Sequence, residues 1–498
     1  MLAPASKFDA SAYADARFNF PEISYADFES IDDLDLRKEI AGLNKILLTD
    51  TYNRTMAHTR GEMGKKEETY TLTFRKPLYE GAPIVAYGVR NIVKRVLGRR
   101  ISEAELEFAR DFFEAQTKKG GNGYFDYEAW AKVVRENDGY MPITVRAVED
   151  GTLVKAGEPV LSVTGPGEMA AHFEPIFLRL FYQSAVATEL NVLENILGSG
   201  RVVEFGSRSA WNNGTHFDAL EALAVGGGLV GTSDDAGAAA LPNLRAAGTI
   251  AHRFLASYPT EEGAFREAIE KNEKIALLID LIEPYRGIDR AVALKKEYRA
   301  SGKAVWMRLD SGDLAAQAVY ALEQCRDRGM LDPALDKVVV ADISSVADVI
   351  RVEEAVAAAG FDPKQFIVYG LGGLLVATKK TRDALSAAFK LTETEDGVTG
   401  KLSADAGKVA VPGKINVEIR DNERVIVNEA EEIQGKRLLK LVYSSGKTFF
   451  DEKSDVKAVE AARERVKANV SDALKPTVWS DRVKKDLEDV KERFLKMA

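Results

Sequence analysis

Residues 274–310 read KIALLIDLIEPYRGIDRAVALKKEYRASGKAVWMRLD. Two apolar runs, KIALLID and AVWMRLD, enclose a stretch, IDRAVALKKEYRASG, that reads as a helix. Strand, helix and strand at this separation predict a parallel βα unit, because parallel neighbours need a crossover connection. The unit repeats outward. Runs RVVEFG (201–206), GGLVGT (227–232), AAGTIAH (246–252), KVVVAD (337–342) and FIVYG (366–370) join the first two. Helical stretches such as TEEGAFREAIEKNE and SVADVIRVEEAVAAAG lie between them. The expected fold is α/β, an irregular (β/α) barrel of about seven strands. An open doubly wound sheet is the alternative.

Nearly every run ends in a polar or glycine cluster: Gly206-Ser207-Arg208, Thr232-Ser233-Asp234, His252, Asp280, Arg308 with Asp310, Asp342, and Gly372-Gly373. In barrels the C-terminal ends of the strands carry the active site. Helix capping accounts for one or two such residues, Ser233 or Ser345 for example. It does not account for seven clusters in succession that mix His, Arg and Asp.

The flanks read differently. From Lys45 the chain is α+β, with strand-like TYTLTF and APIVAYG. The stretch MPITVRAVEDGTLVKAGEPVLSVTGPG (141–167) alternates apolar residues and breaks at EDG, AGEP and GPG, which is hairpin chemistry. It has the look of a biotinyl or lipoyl carrier domain, but the exposed turn carries Glu149, Asp150 and Gly151 and no lysine. A structural sandwich is therefore expected. The division is residues 1–170 as an N-terminal α+β, sandwich-like domain, 171–392 as the barrel, and 393–498 as a C-terminal extension of β segment and charged helices. The final helices are expected to serve packing or dimer formation.

Composition bounds the function. With 498 residues, 46% of them apolar, the chain has material for two or three domains. A net charge of −9 argues against a general nucleic-acid or membrane-surface binder. Cys325 is the only cysteine, so no intrachain disulfide can form. No apolar run reaches the roughly 20 residues of a membrane span, and no signal-peptide pattern opens the chain. A cytoplasmic protein is expected.

The order EFGSR, GGLVGTSDDAG, GTIAH, LLID, RLDSGD, VVAD and a Gly-rich turn resembles the nicotinate phosphoribosyltransferases. LLTDTYNRTM and TFRKPLYEG resemble that family's N-terminal motifs, and GKLSADAGKVAVPGK its K-L-S…K…P-G-K segment. The similarity runs from about Lys45 to beyond Phe450. It implies transfer of the 5-phosphoribosyl group of phosphoribosyl pyrophosphate (PRPP) to nicotinate, in NAD salvage, giving nicotinate mononucleotide and pyrophosphate. Such a reaction builds positive charge on the ribose and sheds a highly charged leaving group. It calls for carboxylates at the ribose and Mg²⁺, cations for phosphate, and a flat pocket for the ring.

By the same resemblance Phe205 and Tyr52 sandwich the pyridine, Tyr52 coming from the second subunit of a homodimer with shared active sites. Arg208 and Arg308 flank the carboxylate and pyrophosphate. Asp310 and Asp342 match acidic positions around the ribose and Mg²⁺. Arg75, Gly372, Gly373, Lys401, Ser403 and Lys408 match phosphate-side positions. His252 matches a histidine phosphorylated by ATP in members that couple ATP hydrolysis to synthesis, and Asp280 matches its orienting carboxylate. Ser233 stands where amide-using relatives carry Asp, which favours nicotinate. His58, His172 and His216 fall on predicted helices and read as structural or solvated. The match departs at Arg253, where many relatives have Ser, at Leu281-Ile282, where Thr and Tyr are usual, and at VYGLGG. Within the family the alternatives are nicotinamide or quinolinate as acceptor. Outside it they are an aldolase or isomerase barrel and a non-catalytic phosphate-binding barrel.

Overall fold

The computed structural model describes residues 18–242, 244–403 and 408–497. The chain divides into two compact units. The first comprises residues 1–184, 381–454 and 464–498, and the second comprises 185–380 with 455–463. This differs from three successive blocks, because most of residues 393–498 belongs with the N-terminal part.

The second unit is built on six parallel strands: β1 (Val202–Glu204), β2 (Leu229–Thr232), β3 (Lys274–Leu278), β4 (Ala304–Leu309), β5 (Val338–Val340) and β6 (Ile367–Leu371). Their order is β2-β1-β6-β5-β4-β3. The crossovers run through α1 (Asn213–Gly226), α2 (Glu261–Lys271), α3 (Pro284–Tyr298), α4 (Leu314–Asp327) and α5 (Val346–Ala358). Each helix starts at a side chain that accepts from the first turn: Asn212, Thr260, Glu283, Asp313 and Ser345. β4 alternates, with Val305, Met307 and Leu309 buried and Trp306 and Arg308 less so on its other face. All three residues of β5 are buried, as expected of a parallel strand covered on both faces. Burying each such aliphatic side chain contributes roughly 1.5–3 kcal/mol.

Among the described residues the sheet has six strands, where about seven were expected. The run AAGTIAH supplies only one parallel bridge, Ala246 beside Thr232. Ala and Gly offer little side chain to pack on a pleated surface, so the run forms no ladder beyond that bridge.

The first unit centres on a seven-stranded antiparallel sheet. Its order is Gly397–Val398, Ala387–Thr394, Glu67–Phe74, Pro159–Pro166, Thr144–Val148, Leu439–Ser444 and Lys447–Thr448. Strands from both ends of the sequence thus share one sheet. A buried ion pair, Arg424 Nη2 to Glu158 Oε2 at 2.6 Å, joins the C-terminal segment to the same unit. Strand Thr152–Val154 pairs with Ile84–Ala86, not with its sequence neighbour Thr144–Val148. The turn once comparable to a carrier site has a packing role. Asp150 Oδ1 accepts from the backbone of Gly88 (2.9 Å) and Val89 (3.0 Å), where a short helix begins. No helix is long and apolar enough to cross a membrane among the described residues.

Candidate active site

In the second unit the C-terminal strand ends converge on Arg308. Its Nη2 donates to Asp310 Oδ1 at 2.6 Å and its Nη1 to Thr249 Oγ1 at 2.8 Å. Its guanidinium carbon lies 5.5 Å from the centre of the Phe205 ring. Room for that ring comes from Gly370 on β6, where a Cβ would stand 2.3 Å from Phe205 Cε2. The ring thus lies against the bare backbone of Gly370 with a cation beside it, an arrangement that suits an anionic aromatic ligand.

Beside it stand three carboxylates from the ends of β3, β4 and β5: Asp280, Asp310 and Asp342. Burial raises the pKa of Asp342, Asp310 and Asp280 raise it further, and Arg308 opposes them. Asp342 also has φ of 55°, in the left-handed region. Such a backbone costs on the order of 1–3 kcal/mol in a non-glycine residue and clusters at functional sites. Among the described residues no group of three or more His, Cys, Asp or Glu forms a metal cage. Mg²⁺, however, is commonly held by one or two carboxylates together with substrate phosphates. The like-charge arrangement at Asp342 fits that donor set.

His252 opens a short helix, His252–Ala256, at the end of AAGTIAH. Its Nε2 lies 3.3 Å from Asp280 Oδ1; the His252 side chain is half exposed and that of Asp280 buried. This separation is not a well-aligned hydrogen bond, and Asp280 Oδ1 has no hydrogen-bond partner. Asp280 Oδ2 instead accepts from Ser311 Oγ at 2.5 Å. Ser311, within RLDSGD, is a positioning residue that the sequence reading did not single out.

Around β1 and β2 the structure gives His216 a structural role, one of the two expected of it, and supplies its partners. This histidine is buried, with Nδ1 2.9 Å from Asp234 Oδ2 and Nε2 3.1 Å from Glu204 Oε1. Glu204 is fully buried and also takes Thr232 Oγ1 at 2.5 Å and the Gly206 amide. His216 therefore ties together the strand ends that carry Phe205 and Ser233. Burial alone would lower its pKa; Glu204 and Asp234 outweigh burial, and the net shift is upward. The other two histidines are also structural or solvated: His58 stacks on Tyr124 at 3.8 Å, and His172 is buried against the Lys45 carbonyl with its pKa pushed down to about 4.

Ser233 is exposed, and its amide donates to the Glu204 carbonyl at 2.9 Å. The cap of the following helix is Asp234, whose side chain accepts from Ala236, so Ser233 does not cap. Ser345 does cap α5. Arg208 is exposed in the loop after β1. Gly206 and Gly372 approach closely: a Cβ on Gly206 would meet the Gly372 carbonyl at 3.0 Å. A Cβ on Gly373 would meet nothing nearer than 3.6 Å.

The remaining candidates, Tyr52, Arg75, Lys401, Ser403 and Lys408, belong to the first unit. Tyr52 lies in helix Thr51–Arg60, 46% exposed, with its hydroxyl donating to Glu174. Lys390, on the sheet, has its pKa lowered first by burial and then by Arg75, Lys401 and Arg382, with Glu174 opposing. Tyr52, Arg75 and Lys401 thus share a neighbourhood with Lys390 and Arg382, two cations the motif reading missed because neither lies in a matched motif. Ser403 and Lys408 flank residues 404–407, which lie outside the described residues.

No family model matches the chain. It is 26% identical over 379 residues to the nicotinate phosphoribosyltransferase of Bacillus subtilis, covering 74% of this chain and 72% of that one. Against the nicotinate phosphoribosyltransferase pncB2 of Mycobacterium tuberculosis identity is 28% over 455 residues, covering 87% and 88%. Against the human nicotinate phosphoribosyltransferase it is 26% over 422 residues, covering 74% and 75%. The crystal structure of human nicotinic acid phosphoribosyltransferase matches with a TM-score of 0.62 at 20% identity, over 89% of this chain and all of that one. The nicotinate-nucleotide pyrophosphorylase of Pyrococcus furiosus matches with a TM-score of 0.62 at 17% identity, over 89% and 98%.

Proposed function

Since the chain belongs to the nicotinate phosphoribosyltransferase family, we propose that it transfers the 5-phosphoribosyl group of PRPP to nicotinate, releasing nicotinate mononucleotide and pyrophosphate. The observation that carries this reading is the Phe205 ring beside the Arg308 guanidinium, itself paired with Asp310. The ring stacks the pyridine, and the guanidinium opposes the carboxylate of the acid or the leaving pyrophosphate. The pyridine nitrogen forms the new bond to ribose C1 as the bond to pyrophosphate oxygen breaks. Asp310 and Asp342 stabilise the positive charge that develops on the ribose. Mg²⁺, when bound, would neutralise pyrophosphate charge, and Asp310 and Asp342 are the residues that would hold it.

His252 is the proposed site of ATP coupling. With Nε2 toward Asp280, its Nδ1 is the nitrogen that would accept the γ-phosphoryl group, a P–N bond forming as ADP leaves. The phosphohistidine drives a binding or conformational step and is not the nucleophile toward ribose. Tyr52 is proposed to complete the pyridine slot of the partner subunit in a homodimer. The test is pyrophosphate release from PRPP with nicotinate, nicotinamide and quinolinate, each with and without ATP. Turnover with nicotinate, stimulated by ATP, is expected; turnover only with another acceptor, or none, overturns the assignment.

A further inference from the structure

The second unit contains a cavity of about 550 Å³ whose walls begin at the N-terminal ends of the strands, the end opposite Asp280, Asp310 and Asp342. It runs inward past Val203, Val230 and Val339 as far as Phe205 and Thr249. Arg201, Arg245, Lys274, Lys337 and Lys364 line it, and no Asp or Glu does. Arg201 is matched by Glu353, at 2.6 and 2.8 Å, and Lys337 donates to the Gln365 carbonyl at 2.5 Å. Arg245, Lys274 and Lys364 have no carboxylate partner among the described residues. Lys274 Nζ sits 3.7 Å from the centre of the Trp306 ring, and the buried Trp306 Nε1 has no acceptor.

Solvated lysines at strand starts would ordinarily come interspersed with acids, the more so in a chain of net charge −9. Here uncompensated cations ring an apolar channel that also holds an unpaired donor, and buried donors are rarely left so. Burial lowers the pKa of Lys274, and Arg245 and Lys337 lower it further, so these cations repel one another where they stand. Repulsion of this kind is relieved by a bound anion.

We propose that this cavity is a second ligand site that takes an organic phosphate with a flat apolar body. The phosphate lies among Arg245, Lys274, Lys337 and Lys364, and the body extends along the valines toward Phe205. The occupant reaches the Phe205 ring from the side away from the strand-end carboxylates. Its effect on transfer rests on the reading of Phe205 as a wall of the nicotinate slot; its binding does not.

The experiment is titration calorimetry of the full-length protein with adenosine monophosphate, inorganic phosphate and adenosine as probes, with Trp306 fluorescence followed in parallel. Adenosine monophosphate is expected to bind at least tenfold tighter than phosphate or adenosine. Lys274→Gln combined with Lys337→Gln weakens it at least tenfold. Gly248→Leu fills the channel, because a Cβ there meets nothing within 4 Å, and it blocks the nucleotide while sparing inorganic phosphate. Arg208→Ala, on the transfer side, leaves nucleotide binding unchanged. No binding at millimolar nucleotide overturns the site, and so does binding that survives the double lysine change or disappears in Arg208→Ala. Pyrophosphate release from PRPP is measured on the same samples. Nucleotide binding without transfer counts against the transferase reading alone; transfer without nucleotide binding counts against this site alone.

Discussion

At residue scale, His252 and Ser233 carry the two finest expectations and His216 an added one. His252→Ala is expected to lose ATP stimulation and acid-labile phosphate while keeping slow ATP-independent transfer. Asp280→Asn gives a milder defect, since Ser311 still holds that side chain and only the charge facing the imidazole is lost. A wild-type protein that forms no acid-labile phosphate removes the coupling role. If Ser233 faces the pyridine as proposed, Ser233→Asp sets a carboxylate against that of nicotinate. Two like charges 4 Å apart at an effective dielectric near 20 repel by about 4 kcal/mol, and exposure reduces this, so a loss of roughly one to two decades in kcat/KM for nicotinate is expected. Nicotinamide should be far less affected; equal losses for both pyridines sink the idea. For His216 the raised pKa means the folded state prefers the imidazolium. That stabilisation is complete below the ordinary value of about 6.5 and fades as pH rises through the raised one. His216→Gln should therefore lower Tm, and raise KM for nicotinate, more at pH 6 than at pH 9. A pH-independent difference would reduce His216 to a packing residue.

At element scale the slot for Phe205 depends on β6 lacking a side chain at one place. Gly370→Ala sets a methyl group 2.3 Å from the ring, so Phe205 or the strand must shift. Overpacking of this sort costs about 1–3 kcal/mol. The expected outcome is a lower Tm with nicotinate KM raised more than PRPP KM, read from initial rates; an unchanged KM would place the pyridine elsewhere. The strands were legible because each is a short apolar run that stops abruptly at a polar residue, and Asp280, Arg308 and Asp342 lie at or just beyond those stops. The seventh run was not, because AAGTIAH is apolar in composition yet has too little side chain to hold a ladder. Nor was the pairing of Thr152–Val154 with Ile84–Ala86, since alternation fixes which face is buried and not which distant strand lies beside it. His216 escaped for a related reason. Its helical periodicity is visible, but the convergence of Glu204 and Asp234 on its ring comes from two other elements.

At the scale of the whole molecule, the candidate residues fall into two sets of different origin. Phe205, Arg308, Asp310 and Asp342 come from one unit, and Tyr52, Arg75 and Lys401 from the other. Tyr52 is half exposed on its helix and its hydroxyl is engaged by Glu174, so its ring is available to a ligand while its polar end is held. If Tyr52 serves the pocket of the partner subunit, two inactive variants should restore one another. Tyr52→Ala supplies a sound Asp310 and no Tyr52; Asp310→Ala supplies the reverse. Random exchange of equal amounts in a two-fold dimer makes about half the dimers mixed, each with one intact site, so about one quarter of the sites regain activity. If Tyr52 serves its own chain, every mixed dimer has two damaged sites and mixing restores nothing. The measurement is pyrophosphate release after denaturation and co-refolding, with subunit exchange verified by differently tagged chains. Recovery near a quarter of the wild-type rate supports the shared site, and exchange without recovery rejects it.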